Sequence, residues 1–432
     1  MPSLGGPGGR VAIVAGVRTP FARAGSALKH MSAIELGKLA VAELIQRTNV
    51  DAKLVEAIVY GTVVPSVLAP NIAREVSLLP MLPKGCEAYS VSRACASANQ
   101  AITDAADQIV LGHHEIIIAG GAESLSNVPI LHSRSMSEKL VSLSRAKSAA
   151  QRLKIVGSIR PKDFVPITPA IAEPSTGETM GQSAEKMAKI NHIAREDQDQ
   201  FALRSHRMAA VGTEDGRLTA EIVPVYPPPR YDNVLTSDNG IRTDTSIEQL
   251  RSLKPVFDRR YGSVTAGNSS PLTDGASAVL LMSESRAKAL GYVPLAYVRS
   301  YAYAALDPGE QLLMGPVLAA PVALRRAGLS LGDMDLVEMH EAFAAQVLCN
   351  LEGFTSRAWA ERAGFTQPVG EVDRSKLNVM GGSIAIGHPF GATGGRILTT
   401  LCNELNRRGG QFGLMTVCAA GGMGHAMVVE RA

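Results

Sequence analysis

The two halves of this 432-residue chain carry the same order of strand and helix patterns. Short apolar runs typical of buried strands occur at 10–15, 55–64 and 115–119, and again at 294–300, 335–338 and 412–417. Before the last run of each half, apolar residues recur at helical spacing, from Ala98 to Val110 and from Ile397 to Leu405. This repetition predicts an α/β fold made of two pseudo-symmetric units.

The alternation of strand and helix patterns stops between residues 125 and 260. We therefore expect an inserted loop domain over 125–260, an N-terminal half formed by 1–124 and completed by 261–292, and a C-terminal half over 293–432. Residues 224–245, rich in Pro, Asp and Asn, are predicted to be loop.

The first part of the insertion is basic. Residues 133–163 hold eight Lys or Arg against two acidic residues, and their apolar side chains recur at helical spacing. Those apolar residues are Met136, Leu140, Leu143, Ala146, Ala150 and Leu153. The pattern predicts one basic amphipathic helix, which either lies on a membrane or a partner protein or packs on its own domain.

Bulk composition excludes several classes of protein. The formal net charge of +3 is too small to indicate nucleic-acid binding, and no run approaches the roughly 20 apolar residues of a membrane span. The Gly- and Pro-rich start over 1–10 lacks the pattern of an export signal. Five cysteines without a Cys-x-x-Cys pair indicate free thiols in a reducing cytoplasm and no metal site.

Cys95 stands where the first of the two helical patterns begins. A thiol at a helix N-terminus meets the helix dipole and unpaired N–H groups, which favour the thiolate and predict a lowered pKa. Its small neighbours leave room for a substrate, although a lone cysteine is more often a buried, inert residue. Cys86, Cys349 and Cys402 are predicted to be such residues.

Three further segments carry residues suited to catalysis. Six glycines in 378–395 surround His388, so that a backbone can approach a ligand closely and the histidine can serve as a base or a donor. Cys418 follows a strand pattern in a turn of small residues, and His340 follows the 335–338 strand on the ligand-binding side of the sheet. The competing interpretations are structural histidines and an ordinary Gly-rich turn. The other histidines are predicted to be surface or structural residues: His30, His113, His114, His132, His192, His206 and His425.

Together these segments resemble the thiolase family. The similarity rests on Cys95 in Ser-Arg-Ala-Cys-Ala-Ser, on Gly-His-Pro around His388 and on the turn after Cys418, and it covers nearly the whole chain. Further matching blocks are Arg18-Thr-Pro-Phe, Ala119-Gly-Gly-Ala-Glu-Ser, Thr265-Ala-Gly-Asn-Ser-Ser and Thr273-Asp-Gly-Ala. Asp238-Asn-Gly-Ile-Arg, His340-Glu-Ala-Phe and Cys418-Ala-Ala-Gly-Gly make the chain most similar to the 3-ketoacyl-CoA thiolase (β) subunits of fatty-acid oxidation, or trifunctional, complexes. His340 stands where many thiolases have Asn, and Ala420 where many have Gly.

The resemblance implies a five-layered αβαβα fold and a ping-pong reaction on 3-ketoacyl-CoA. Cys95 would be the nucleophile, His388 its base, and Cys418 the second acid and base. His340 and His388 would form one oxyanion hole, and the backbone N–H groups of Cys95 and Ala420 a second. The resemblance places Ser270 and Met180 beside CoA, and Leu312 and Phe343 near the acyl chain. CoA is then a substrate, and no bound cofactor or metal is expected.

The resemblance also implies partners and leaves alternatives. A homodimer or higher homo-oligomer is expected, and the 125–260 insertion could dock a hydratase/dehydrogenase α subunit or touch a membrane peripherally. The alternatives are an acetoacetyl-CoA thiolase with the same chemistry, and a scaffold subunit that binds a partner. A condensing synthase is disfavoured by Cys418. The length of the acyl chain stays open.

Overall fold

The computed structural model describes residue 6, residues 8–167 and residues 172–432. The start over 1–10, expected to lack an export signal, lies mostly outside the described residues. No helix in these ranges combines the length and apolar character that crossing a bilayer requires.

Ten strands are present in the described residues. They are β1 Val11–Arg18, β2 Ala22–Arg23, β3 Ala57–Gly61, β4 Glu87–Val91, β5 Ile116–Glu123, β6 Thr273–Ser283, β7 Ala296–Ala305, β8 Leu336–Met339, β9 Phe412–Ala419 and β10 Met423–Arg431. The six apolar runs of the sequence all become strands, with ends shifted by a few residues.

Fourteen α-helices lie in the same residues. They are α1 Ala33–Thr48, α2 Ile72–Ser77, α3 Ser97–Val110, α4 Arg134–Arg145, α5 Ala149–Gly157, α6 Met180–Ile190, α7 Arg195–Glu214, α8 Ile247–Ser252, α9 Glu284–Ala289, α10 Gly315–Ala327, α11 Ala344–Thr355, α12 Arg357–Arg362, α13 Ser383–Ile386 and α14 Thr393–Arg408. Short 3₁₀ turns occupy Ala52–Leu54, Pro161–Phe164, Thr219–Glu221, Leu312–Met314 and Leu331–Asp333.

The strand pairings repeat between the halves. The strands run in the order β4-β3-β5-β6-β1-β7-β10-β9-β8, and β2 pairs with β6 at its side. In the first half β3 is parallel to β5, β5 antiparallel to β6 and β6 antiparallel to β1. In the second half β8, β9, β10 and β7 repeat these relations in the same order. The predicted pseudo-symmetry is therefore confirmed, with β4 as an addition to the first half.

The helices complete five layers. Helix α1 covers the outer face of the first half of the sheet, and α10 covers that of the second half. Helices α3 and α14 touch each other between the two halves. Their apolar faces share one core cluster with strands of both halves, from Ile102 and Ile117 to Leu398 and Val417. The expected αβαβα fold is confirmed. Helices α3 and α14 form the central layer, and their N-terminal ends lie near Cys95 and His388.

The insertion is only partly a separate unit. Helices α6 and α7 bury Ala184, Met187 and Phe201 in the same core cluster as Val347 of α11, in the C-terminal half. The division of the chain at 125 and 260 stays a prediction. The predicted loop over 224–245 carries neither helix nor strand.

The prediction of one amphipathic helix over 133–163 is wrong. The segment forms α4 and α5, because Ala146 adopts an extended backbone and Ser148 caps a new helix by accepting a hydrogen bond from the Gln151 N–H. Of the six predicted apolar positions only Met136 is buried, and Leu153 is 75% exposed. The apolar side chains of this segment therefore do not form a core of their own.

Candidate active site

Cys95 sits in a tight turn between β4 and α3. Ala94 has a left-handed backbone with φ of 46°, and the Ser97 hydroxyl accepts a hydrogen bond from the Arg93 N–H at 2.9 Å. Ser97 also donates to the Ala94 carbonyl at 2.6 Å. The turn holds the thiol, half-buried, just ahead of the first helical residue.

His388 lies in the loop between α13 and α14. Gly387 before it has φ of 113°, and a Cβ there would come within 2.6 Å of the Thr273 side chain, so glycine is required for this loop path. His388 is 4% exposed. Helix α14 begins five residues later, so His388 does not sit at its first turn as the sequence suggested.

The hydrogen bonds of His388 fix its tautomer. Its Nδ1 lies 2.6 Å from the Thr393 Oγ1, and Thr393 donates its one hydroxyl proton to the Pro389 carbonyl at 3.1 Å. Thr393 therefore accepts from Nδ1–H, which leaves the lone pair of a neutral imidazole on Nε2. Nε2 is buried and has no hydrogen-bond partner among the described residues. It is available as a base.

His340 brings a second ring to the same place. It follows β8, is fully buried, and its Nδ1 lies 3.0 Å from the Ser383 Oγ. The centroids of the His340 and His388 rings are 4.1 Å apart. The Cys95 sulfur and one nitrogen of each ring lie within 4.8 Å of one another. The structure thus gathers three of the predicted site residues around one point.

Cys418 and Ala420 close the site from the other side. Cys418 is the next-to-last residue of β9 and 1% exposed. Burial raises its pKa well above the usual value, and the nearby Cys95 thiolate would raise it further. The Ala420 backbone N–H lies near enough to the Cys95 sulfur to favour its thiolate. Both residues therefore lie next to Cys95, and their catalytic roles stay a prediction.

The expected low pKa of Cys95 is wrong. Burial raises the pKa of this thiol to about 11, although hydrogen bonds from the backbone N–H groups of Ala420 and Cys95 act in the opposite direction. Burial, with a smaller contribution from Arg396, lowers the pKa of His388 to about 3. The resting pair is therefore a neutral thiol beside a neutral imidazole, because desolvation outweighs the helix dipole.

Glu123 connects two loops next to the site. This buried carboxylate ends β5 and accepts the backbone N–H groups of Val63 and Gly391 on one oxygen, and the Val64 N–H and Thr62 hydroxyl on the other, at 2.9–3.2 Å. It ties the loop after β3 to the loop that carries His388.

A cavity of about 480 Å³ lies beside α13. Its lining includes Arg23, Arg242, Ser270 and Ile384. Of the four predicted ligand-contact residues, Ser270 is therefore the one that lines this cavity. Phe343 is close by, because the Ser270 N–H donates to the carbonyl of residue 342 at 2.9 Å.

The other two predicted ligand-contact residues, Leu312 and Met180, pack in or against the hydrophobic core. Leu312 has no exposed surface and belongs to the same core cluster as Cys418, and Met180 packs partly buried against that cluster. Their place beside a ligand stays a prediction.

Cys95, His340 and His388 also have the ligand types of a Zn²⁺ site. They are the one such group in the part of the chain that the structure describes. A metal ion bound there would occupy the sulfur and remove it as a nucleophile, so the two uses exclude each other.

Comparison with known proteins identifies the fold family. The chain matches the thiolase N-terminal domain over residues 11–285 and the thiolase C-terminal domain over 292–431. The chain belongs to the thiolase family. Members of the family are acyltransferases, and the predictions of enzyme class and family are confirmed.

Relatives and solved structures agree with this assignment. A 3-ketoacyl-CoA thiolase of Pectobacterium carotovorum is 52% identical over 431 residues, which cover 100% of this chain and 98% of that protein. One of Shewanella amazonensis is 52% identical over 98% of this chain and 97% of its own. The structure of human mitochondrial 3-ketoacyl-CoA thiolase in complex with CoA has a TM-score of 0.83 and 31% identity, covering 100% of this chain and 99% of its own. A Bacillus anthracis acetyl-CoA acetyltransferase structure has a TM-score of 0.84 and 33% identity, covering 98% of this chain and 99% of its own.

Three residues of the site escaped the sequence analysis: Thr393, Ser383 and Glu123. Thr393 and Ser383 are the only hydroxyl residues of the Gly-rich block 378–395, which is the signal that could have singled them out. Glu123 lies in a family block, but only the fold brings it to the loops around residues 63 and 391.

Proposed function

We propose that the chain is a 3-ketoacyl-CoA thiolase of fatty-acid β-oxidation, which cleaves 3-ketoacyl-CoA with CoA into acetyl-CoA and a shortened acyl-CoA. The observation that carries the proposal is the meeting of the Cys95 sulfur with one nitrogen each of His340 and His388 within 4.8 Å. Relatives at 52% identity over nearly their full length support the substrate class.

The first half-reaction begins at Cys95. The free Nε2 of His388 takes the thiol proton, and the sulfur attacks the 3-keto carbon. The backbone N–H groups of Cys95 and Ala420 stabilise the negative oxygen that forms. Because thiol and imidazole start neutral, the proton moves as the carbon–sulfur bond forms.

Carbon–carbon cleavage follows. The bond between C2 and C3 breaks, its electron pair passes to the enolate of acetyl-CoA, and the acyl group stays on the Cys95 sulfur. The protonated Nε2 of His388 and the ring of His340 hold the enolate oxygen. Cys418 gives its proton to C2, and acetyl-CoA leaves.

The second half-reaction releases the acyl group. The Cys418 thiolate takes the proton of the CoA thiol, and the CoA sulfur attacks the acyl carbon on Cys95. The Cys95 sulfur leaves and takes the proton from His388, which restores both neutral groups. CoA serves as a substrate, and the proposal includes no bound cofactor.

The cavity beside Ser270 is the proposed entry for CoA. Arg23 and Arg242 line it, and their charges suit a phosphorylated ligand. The human relative was solved in complex with CoA, which supports CoA as the ligand. Leu312 and Phe343 are proposed to lie near the acyl chain, and Met180 near CoA.

Substitution of the nucleophile tests the proposal. Cys95→Ser should abolish CoA-dependent cleavage of 3-ketoacyl-CoA, measured by loss of the 3-ketoacyl-CoA absorbance, because a hydroxyl beside a weakly basic histidine is a poor nucleophile. Cys86→Ser, a buried thiol in a different core cluster, is the matched control and should keep activity. Normal turnover by Cys95→Ser would contradict the assignment.

Chain length decides between the main proposal and an acetoacetyl-CoA thiolase. One of the similar structures is an acetyl-CoA acetyltransferase, which supports acetoacetyl-CoA thiolase as the second candidate. Values of kcat/KM for thiolysis across short, medium and long 3-ketoacyl-CoAs distinguish the two. Activity confined to the four-carbon substrate would favour the alternative.

We further propose a cytoplasmic homodimer or higher homo-oligomer, with the 125–260 insertion available to a hydratase/dehydrogenase α subunit or a membrane surface. Exposed apolar side chains on α4 and α5, among them Leu140, Val141 and Leu153, support a docking role. Co-elution with a hydratase/dehydrogenase protein in size-exclusion chromatography tests it, and separate elution would count against an α subunit.

A further inference from the structure

We infer that Ser383, oriented by Arg396, is a positioning residue that holds His340 in the tautomer with its proton on Nε2. His340 then presents a hydrogen-bond donor beside the basic Nε2 of His388. The role given to this donor, binding the enolate oxygen, rests on the proposed thiolase reaction.

The inference starts from the two hydrogen bonds of the Ser383 hydroxyl. Arg396 donates from Nη2 to the Ser383 Oγ at 2.9 Å, and the same oxygen lies 3.0 Å from His340 Nδ1. Ser383 is fully buried, and these two are the only partners of its hydroxyl among the described residues. The three side chains thus form a chain from Arg396 to His340.

The direction of the chain follows from the chemistry of its ends. A guanidinium has donors and no acceptor, so the Ser383 oxygen must accept from Arg396. The hydroxyl proton of Ser383 is satisfied only if it points to His340 Nδ1, and an unmet buried donor costs about 1–3 kcal/mol. Nδ1 therefore accepts, and a neutral His340 carries its proton on Nε2.

Arg396 keeps its N–H donors in this buried position. It is 1% exposed, and burial lowers its pKa, while the charges of the buried Glu338, Glu341 and Glu221 act in the opposite direction. The guanidinium therefore stays a donor in the middle of the protein. His340 stays neutral, because burial and the nearby His388 and Arg396 lower its pKa well below the usual value.

His388 has the opposite arrangement. Its hydroxyl partner, Thr393, donates its proton to the Pro389 carbonyl and accepts a hydrogen bond from the His388 Nδ1–H. Two rings 4.1 Å apart are thus held with unlike nitrogens toward the site, a bare Nε2 on His388 and an Nε2–H on His340. Both Nε2 atoms are buried and have no partner among the described residues, so each keeps its hydrogen-bonding capacity for a substrate.

A double-mutant cycle tests the role of Ser383. Ser383→Ala should lower kcat for thiolysis by roughly 10- to 100-fold with a smaller change in KM, less than the loss of an oxyanion donor itself. In a His340→Asn background the same substitution should have little further effect, because an amide NH₂ donates without help from Ser383. An equal loss in both backgrounds would overturn the inference and leave Ser383 a packing residue.

Nitrogen NMR of the wild-type protein tests the tautomer directly. With ¹⁵N-labelled histidine, and with the His340→Asn spectrum for assignment, the His340 signals should show a protonated Nε2 and an unprotonated Nδ1. Ser383→Ala should shift them toward a mixture of tautomers. A protonated Nδ1 in the wild type would overturn the inference whatever the activity.

The two failures are distinguishable. If the proposed function is wrong, the wild type fails to cleave 3-ketoacyl-CoA while the NMR result still stands. If the tautomer is wrong, the wild type turns over, Cys95→Ser is inactive, and the spectrum contradicts the inference.

Discussion

At the scale of single residues, the site depends on burial. The thiol of Cys95 and the imidazole of His388 lie side by side, and desolvation penalises the charged form of each. It raises the pKa of the acid and lowers that of the base, so no thiolate–imidazolium pair forms at rest. Because the two histidine rings are buried, their hydroxyl partners determine which ring nitrogen carries the proton: Thr393 for His388 and Ser383 for His340.

A pH profile of thiol alkylation tests the neutral resting pair. With the pKa of Cys95 raised to about 11, the rate of reaction with iodoacetamide should rise about tenfold per pH unit from pH 7 to 9 without a plateau. Cys95→Ser serves as the control that the label is on this thiol. A plateau near neutral pH would mean a stabilised thiolate.

At the scale of secondary-structure elements, the ends of strands carry the site. β5 ends at Glu123, β8 leads to His340 and β9 ends just after Cys418. Glu123 uses both carboxylate oxygens to bind four donors from the loops at 62–64 and 391. This carboxylate therefore links the end of a first-half strand to the histidine loop of the second half.

Glu123→Gln should destabilise the protein by about 2–4 kcal/mol, because the new NH₂ faces two donors that lose their acceptor. Urea unfolding at pH 8, above the raised pKa of about 7 of this carboxyl, measures the loss. The matched control is Glu56→Gln. The exposed Glu56 accepts two backbone N–H groups on one oxygen only, so its amide can keep both, and the change should stay within about 0.5 kcal/mol. Equal effects at both positions would contradict the argument.

At the scale of the whole molecule, the insertion is fastened to the sheet by a buried ion pair. Arg18 of β1 is fully buried and binds both oxygens of Asp238 at 2.6 and 2.8 Å, with Glu221 at 3.8 Å. Asp238 also accepts the Phe21 N–H at 2.7 Å. Asp238, within the predicted loop segment, is thus buried against the sheet, and we expect the insertion and the sheet to unfold together.

Asp238→Asn should lower the free energy of unfolding by about 3–5 kcal/mol, because it leaves Arg18 buried with one distant acidic partner. Thermal and urea unfolding measure the change. Asp215→Asn is the control, since its pair with Arg217 is half-exposed and should contribute no more than about 1 kcal/mol. A similar small effect at Asp238 would mean that the insertion is held by other contacts.

The sequence by itself determined six strands, the two helices α3 and α14 and their repetition, and it singled out Cys95, His388 and Cys418 as candidates. These follow from periodicity and glycine-rich loops, which are local properties of the chain. The sequence wrongly predicted one helix across Ala146 and a lowered pKa for Cys95. A local pattern contains no information on the exposure of a side chain or on its desolvation. Only the tertiary structure decided the charge state of the thiol and the hydrogen-bond partners of the two rings. Those depend on residues brought together from afar, such as Ser383, which lies 43 positions beyond His340.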